Sequence, residues 1–361
     1  MNRTDRPESD LMLKINLGGS TISESHEPLL VPDIGTFFNQ DTSKAVDLIA
    51  QLHSAGAQVV KGEILHNADI CLDGALIEKY FSIARGKVVG ERYRDLIERK
   101  VVSLDKYERI FSECKRRGLP FLTSVYDFVG ADFSLSVGAC ALKIATSNIV
   151  HEPLIRYVAG LGLPMIIDTG KSSMAEIARA MEWARQSGAS DIILEYSPLP
   201  PPAPIQQQNI RAITLYRNAF NNALVGLSDH HAGPEMLYAA VVLGACVLEK
   251  GVRPDDLDDD QDVGHALPIS QFAEVKRICQ SIWNGLGRPQ LLPVESPKMA
   301  RMGIVAGRDL KAGEVLSPDT TSFAFPAVGV PVEHWSLVQG WRMKRDLDAR
   351  TPIKWTDLLP E

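Results

Sequence analysis

Short apolar runs and amphipathic stretches alternate along most of the chain. The runs at 29–35, 58–65 (QVVKGEIL), 120–126 (PFLTSVY), 140–147 (CALKIATS), 164–170 (PMIIDTG), 191–197 (DIILEYS), 223–229 (ALVGLSD) and 246–251 (CVLEKG) are brief, aliphatic and bounded by turn formers, which predicts buried strands. Between them apolar positions recur at helical spacing. One helix is expected over 42–55, capped by Asp41 or Thr42, with Ala45, Leu48, Ile49 and Leu52 on one face. Others are expected over 103–117, 131–135, 152–161, 173–186, 209–220, 232–245 and 270–286. Eight strand-then-helix units in about 260 residues favour a closed (β/α)8 TIM barrel over an open doubly wound sheet. Ahead of them, apolar alternation around Gly18-Gly19 predicts a short hairpin, and a long polar excursion follows the second strand.

The pattern changes after Gly287. Residues 288–298 carry three prolines and read as a linker, and 299–361 have turn residues every few positions with no sustained helical period. The expected organisation is a loose tail at 1–10, a hairpin plus barrel at 11–287, the linker, and a small β-rich domain at 299–361. A domain of that size has a thin core, so it is expected to rest on the barrel or on a second subunit.

Composition narrows the function classes. The 361-residue chain is 45% hydrophobic and 23% charged, an ordinary globular balance, and its net charge of -7 without a large basic run argues against nucleic acid as a partner. The five cysteines are scattered without zinc or disulfide spacing, no apolar run reaches bilayer length, and the first ten residues are polar, so a cytoplasmic protein without a membrane partner is expected. Neither GxGxxG nor GxxxxGK[ST] opens a helix, which leaves no nucleotide cofactor in view.

Barrel geometry then locates the chemistry. Side chains at the C-terminal ends of the strands face the active-site mouth: Asp33; Lys61 and Glu63; Thr123 and Ser124; Lys143 and Thr146; Asp168 and Thr169; Glu195 and Tyr196; Ser228, Asp229 and His230; Glu249 and Lys250. Lysines on two strands with hydroxyls nearby make a seat for a phosphate or carboxylate, while a salt bridge sealing the rim is the competing reading for any single residue. The acidic loop 255–262 reads as solvated, and Met174, Met181 and Trp183 as helix packing.

The motifs AGAQVVKGE (55–63), PFLTSVYD (120–127), ALKIATSNI (141–149), PMIIDTG, PAPIQQQNIRAI (202–213), GLSDHHAG (226–233) and LGACVLEKG (243–251) resemble, in this order, the sialic acid synthase family and its relatives in spore-coat polysaccharide synthesis. GIVAGRDLKAGEVLSPD (303–319) is similar to that family's appended antifreeze-like (SAF) domain. The resemblance implies a phosphoenolpyruvate-dependent condensation with a sugar or sugar-like aldehyde in surface polysaccharide biosynthesis. Lys61 and Lys143, with Ser124, Thr146 and Ser228, would hold the phosphate and carboxylate of phosphoenolpyruvate. Asp33, Asp168, Asp229 and Asp262 would serve the substrate site. His230 would hold a divalent manganese or magnesium ion, and the SAF domain would reach the other barrel of a homodimer.

This sequence departs from the family on the sugar and metal side. The second metal histidine of the family falls on Gly251, its first-strand glutamate on Asp33, the serine of its Ser-Thr-Gly motif on Asp168, and a glutamate on Asn148. Polar positions after the sixth strand are Leu199 and Pro201, and the arginine of the SAF domain is Phe325. Asp168 is expected to repel a neighbouring anion by roughly 3 kcal/mol at about 5 Å, with Lys171 placed to neutralise it. Two further readings stay open: a catalytically silent member that binds a pathway metabolite or partner, and a metal-independent aldolase or lyase with Lys61, Lys143 or Lys250 as Schiff-base amine.

Overall fold

The computed structural model describes residues 13–82, 85–198, 203–257, 262–287 and 297–360. The expected tail at 1–10, most of the linker (288–296), Leu199, Pro201 and residues 258–261 of the acidic loop lie outside the described residues. The chain divides into two compact units, the first ending at Gly287.

The first unit opens with the hairpin β1 (Ile15–Leu17) and β2 (Ser20–Ile22). Then follow β3 (Leu29–Asp33), α1 (Thr42–Ser54) and β4 (Val60–Ile64). Asp41 caps α1 by accepting from the backbone N–H of Ser43, and Ala45, Leu48, Ile49 and Leu52 are its buried face. The polar excursion is structured: β5 (Ile77–Ser82) and β6 (Lys87–Arg92) form an antiparallel hairpin, followed by α2 (Tyr93–Glu98) and α3 (Leu104–Arg116). The hairpin is largely exposed and mixes apolar with charged residues on both faces, so the sequence carried no strong strand signal there.

The alternation then runs β7 (Phe121–Val125), α4 (Phe128–Ser136), β8 (Leu142–Ile144), α5 (Glu152–Gly160), β9 (Met165–Asp168), α6 (Met174–Gln186), β10 (Ile192–Tyr196), α7 (Ala212–Ala219), β11 (Leu224–Asp229), α8 (Glu235–Leu243) and β12 (Val247–Arg253). A two-residue strand, β13 (Leu267–Pro268), precedes α9 (Ile269–Leu286). The strands β3, β4 and β7 to β12 pair in parallel in chain order, and β12 returns to β3, so the sheet closes as a TIM barrel.

The two-residue period of the strands sorts the interior into layers. Leu29, Val31, Val59, Leu122, Ala141, Ile166, Ile193, Leu224 and Val247 pack with Ile15, Leu17 and Ile22 of the hairpin, which plugs the lower end. Two residues further along the same strands the inward positions turn polar: Asp33, Lys61, Ser124, Lys143, Asp168, Glu195 and Glu249. Gly226 is the inward position on β11, where a Cβ would lie 2.9 Å from the Val247 carbonyl oxygen and 3.2 Å from Cγ of Glu195. Its missing side chain gives Glu195 room inside the barrel. Outward residues of the strands form a second core with the helices.

The second unit contains the antiparallel pairs β14 (Gly303–Ala306) with β15 (Thr321–Ala324), and β16 (Arg342–Met343) with β17 (Leu358–Leu359), separated by the short helix α10 (Trp335–Val338). Its core is small, gathered around Ile304, Leu310, Leu316, Val330, Val338, Met343 and Ile353. No helix among the described residues is long and apolar enough to cross a membrane.

Candidate functional site

The polar layer opens into a cavity of about 500 Å³ at the C-terminal ends of the strands. Its lining includes Asp33, Lys61, Ser124, Lys143, Thr146, Asp168, Ser228, Asp229, His230 and Asp262, the residues to which the resemblance gives a role, whereas Thr123, Thr169, Glu195, Tyr196 and Lys250, also expected at the mouth, do not line it. Strand register explains the meeting: Asp33 lies beside Lys61, Ser124 beside Lys143, and Ser228 beside Glu249.

Neither lysine is free. Lys143 Nζ lies 2.6 Å from Glu195, 2.7 Å from Glu249, 3.0 Å from Asp168 and 3.3 Å from the Ser228 hydroxyl. Lys61 Nζ lies 2.5 Å from Asp33 and 3.4 Å from Glu249. Burial opposes the charge of both lysines, but the surrounding carboxylates outweigh it and raise both pKa values. Glu249, which bridges the pair, is also buried, yet Lys143 and Lys61 hold it below the usual carboxylate range. Glu195 goes the other way: burial and the charge of Glu249 outweigh Lys143 and push it up to about 8. Burial likewise raises Asp33 in spite of Lys61. One oxygen each of Glu195 and Glu249 is buried with no hydrogen-bond partner among the described residues.

Asp168 corrects an expectation. Its carboxylate is engaged by Lys143, by the Thr146 hydroxyl at 2.5 Å and by the Gly170 N–H at 3.1 Å. Burial raises its pKa, but Lys143, His230 and these donors prevail and hold it at about 2. Lys143, rather than Lys171, therefore balances Asp168, and the charge stands within an ion network instead of facing a ligand alone.

At the end of β11 a second ion pair fixes the backbone. Lys250 Nζ contacts Asp229 at 2.8 Å and donates to the carbonyls of His231 and Gly233 at 2.5 and 3.0 Å, with the Lys250 and Asp229 side chains at 0% exposure. Asp229 also accepts from the His231 N–H at 2.8 Å. Asp229 thus holds the corner's shape, although it borders the cavity. His231 turns towards Glu235, with Nε2 3.5 Å from that carboxylate. His230 faces the mouth, its Nδ1 3.1 Å from the Ser197 hydroxyl and 3.3 Å from the Pro198 carbonyl.

Residues 48–290 match the NeuB family, and residues 301–359 match the SAF domain. The chain belongs to the NeuB family. It is 27% identical to an uncharacterized protein of Methanocaldococcus jannaschii over 96% of this chain and 99% of that one. It is 25% identical to N,N'-diacetyllegionaminic acid synthase of Campylobacter jejuni over 84% of this chain and 91% of that one. The spore coat polysaccharide biosynthesis protein SpsE of Bacillus subtilis is 26% identical over 96% of this chain and 98% of its own. The solved SpsE structure superposes with a TM-score of 0.65, covering 97% of this chain and 100% of that one. The sialic acid synthase resemblance and the barrel-plus-SAF architecture are those of this family.

Several features of this mouth carry contacts that the sequence did not assign. Glu195 and Glu249 stand at strand ends and were visible as candidates, but nothing in one dimension marks them as partners of Lys143. Thr123, Thr169 and Tyr196, also at strand ends, are committed elsewhere: Thr123 donates to Ser134, Thr169 to the Glu195 carbonyl and Tyr196 to the Gln208 carbonyl. Tyr126 and His265 come from loops, where strand register gives no warning. Tyr126 donates to Glu63 at 3.2 Å. His265, on the single turn Val263–His265, is buried with its ring centre 4.8 Å from that of His230 and the planes at 84°. Its Nδ1 has no hydrogen-bond partner among the described residues. Burial and the neighbouring His230 outweigh Asp262 and hold its pKa well below the ordinary histidine value, so the ring is neutral.

Gly251 completes the wall. A Cβ there would meet the Phe37 ring at 3.2 Å and Ala266 at 3.4 Å, and Phe37, Val263 and Ala266 form their own apolar nest. Phe37 occupies the space into which a larger residue at 251 would project. No group of three or more His, Cys, Asp or Glu among the described residues is arranged to hold a metal ion.

Proposed function

We propose that the protein is a condensing synthase that joins phosphoenolpyruvate to a sugar or sugar-like aldehyde in surface polysaccharide biosynthesis. The observation that carries this reading is the convergence of two buried, protonated lysines with the hydroxyls of Ser124, Thr146 and Ser228 in one cavity at the barrel mouth. A multiply charged anion needs cations and donors gathered in a sheltered place, and these elements are gathered here.

The acids do not forbid such a ligand. Glu195 carries a proton at neutral pH, and Asp33 is pushed in the same direction, so part of the apparent acid excess is uncharged. Phosphoenolpyruvate would take the open side of Lys61 and Lys143. Its methylene carbon would form the new C–C bond to the aldehyde carbon, whose oxygen takes up a proton, and water would add to the enolpyruvyl carbon as phosphate leaves. A divalent ion at His230 would supply polarisation of the aldehyde oxygen. Asp262, 3.3 Å from Lys100, would face the sugar. The SAF unit would close the barrel of a second subunit in a homodimer.

The state of its three candidate amines disfavours the Schiff-base alternative. Lys61 and Lys143 are held protonated by carboxylates, and Lys250, although burial lowers its pKa, is locked onto Asp229 and two carbonyls.

The test is phosphate release from phosphoenolpyruvate with a panel of N-acyl hexosamines and Mn²⁺ or Mg²⁺. Sugar-dependent release that disappears in Lys143→Ala is expected. Phosphoenolpyruvate binding without release under any condition would replace the synthase by a silent binding protein, and a carbonyl adduct trapped by borohydride would replace it by an aldolase.

A further inference from the structure

The barrel lining changes again just above the ion layer. Two residues past Asp33, Lys143 and Glu249 come Gly35, Ala145 and Gly251, which leave space over the lysines; two residues past Lys61, Ser124 and Ser228 come Glu63, Tyr126 and His230, and all six line the mouth. Glu63 stands apart from the ion network below it. Its Oε1 lies 3.9 Å from Lys61 Nζ, beyond hydrogen-bond reach, and that ammonium is committed to Asp33 at 2.5 Å. Oε2 accepts from the Tyr126 hydroxyl at 3.2 Å, so a proton on the carboxyl group belongs on Oε1. The side chain is 27% exposed, and it borders both the mouth and a second cavity of about 600 Å³ that shares Tyr93, Tyr126 and Asp262 with it. An acceptor with its aldehyde over the lysines and its body in that second cavity would pass directly by Glu63.

We propose that Glu63 is the proton carrier of the condensation, giving a proton to the aldehyde oxygen as the C–C bond forms and then taking one from the water that adds to the enolpyruvyl carbon.

The assignment rests on the synthase reading, and its protons balance. The electron pair of the enol double bond forms the C–C bond, the carbonyl pair moves onto the aldehyde oxygen, and the Glu63 O–H bond breaks to protonate that oxygen. The resulting carboxylate removes a proton from water as the water oxygen bonds to the electron-poor enolpyruvyl carbon. Phosphate then leaves with the electrons of its C–O bond, the new hydroxyl becomes the ketone, and its proton goes to phosphate. Glu63 ends as the acid it was at the start. Burial raises its pKa; Lys61 opposes this, Asp33 and Asp262 add to it, and Lys100 opposes it. The same two cations and the Tyr126 O–H steady the carboxylate between the two transfers. Neighbouring groups suit the role less. Asp262, in spite of burial, is held below the usual carboxylate range by Lys100 and the histidines, so it has no proton to give. Burial pushes Tyr126 well above the ordinary tyrosine value, and both lysines are raised, which makes each a weaker acid.

The test compares full-length wild type with Glu63→Gln, using phosphoenolpyruvate, the panel of N-acyl hexosamines and a divalent ion. Glu63→Gln replaces a neutral acid by a neutral amide, so the calorimetric dissociation constant for phosphoenolpyruvate at pH 6 should stay within about twofold while kcat falls at least about 100-fold. In the wild type at saturating phosphoenolpyruvate, where pH-dependent binding does not enter, kcat should fall with rising pH between pH 5.5 and 9 as Glu63 loses its proton, and the residual turnover of Glu63→Gln should lack that fall. A variant that keeps more than about a tenth of kcat would overturn the proposal. So would phosphoenolpyruvate binding more than about tenfold tighter in the variant, the mark of a carboxylate that had been drawing on Lys61. A wild-type kcat that is constant or rises over the same pH range would overturn it too, and this arm needs no variant to fold. Sugar-dependent release that survives in Glu63→Gln refutes this assignment alone; no release from the wild type refutes the reaction and the assignment with it.

Discussion

Glu195 sets how much of the charge on Lys143 is offered to a ligand. Burial and the charge of Glu249 raise its folded-state pKa to about 8, above the ordinary glutamate value, so at neutral pH the protonated form prevails and Glu195 meets Lys143 as a neutral acid. Anion binding beside it favours the protonated form, and by linkage affinity must fall as that proton is lost. The dissociation constant for phosphoenolpyruvate should change little from pH 7 to 8 and then rise towards about tenfold per pH unit, because the ligand's phosphate, with its second pKa near 6, is already fully ionised. Both lysines are raised and keep their charge over that range. Calorimetric titration from pH 7 to 9.5 checks this, and Glu195→Gln should flatten the profile. A wild-type constant equal at both ends of the range would contradict the assignment. At this scale the sequence was a partial guide. It placed Lys61, Lys143 and their hydroxyls correctly because barrel strands deliver their ends to one mouth. It gave Asp168 the wrong counter-charge, Lys171 three residues on, where the structure uses Lys143 from the preceding strand, because strand order gives neighbours but not which side chains reach each other.

The elements were more legible than the contacts between them. Apolar strands and helical periods gave all eight barrel units, since burying one strand face against helices and the other inside the barrel demands that pattern. The β5–β6 hairpin escaped because its faces are largely exposed. The end of β11 depends on a contact of this unread kind. Lys250 holds Asp229 and the carbonyls of His231 and Gly233, so the loop carrying His230 is tied to β12 by one buried ammonium. Lys250→Met should destabilise the barrel by about 3–5 kcal/mol, chiefly because Asp229 is left buried and unpaired. Removing that charge as well, in Lys250→Met with Asp229→Leu, should recover part of the loss. Denaturant unfolding of the single and double variants measures both steps. Equal destabilisation in the two would mean that the carbonyl contacts, not the ion pair, hold the corner.

For the whole molecule the proposal to test is that each SAF unit closes the barrel of a second subunit. The unit's own core is small, and it exposes Phe323, Phe325 and Val328, at 43%, 60% and 48%, along one stretch of chain. Apolar groups so placed favour a covering surface, and a homodimer in which each SAF unit closes the other subunit's mouth provides one. Sedimentation should then give twice the 39.6 kDa chain mass. Mixing two defective chains separates closure in trans from closure in cis. Full-length Lys143→Ala has a SAF unit but a dead mouth; a chain ending at Gly287 retains the mouth within its own compact unit but has nothing to close it. After subunit exchange, the intact mouth of the shortened chain would face the SAF unit of the Lys143→Ala chain. Statistical pairing makes half of the dimers mixed, each with one complete site, so phosphate release should return to about a quarter of the wild-type level. If mixed dimers form and release stays at the level of the separate chains, closure of one subunit's mouth by the other's SAF unit is refuted.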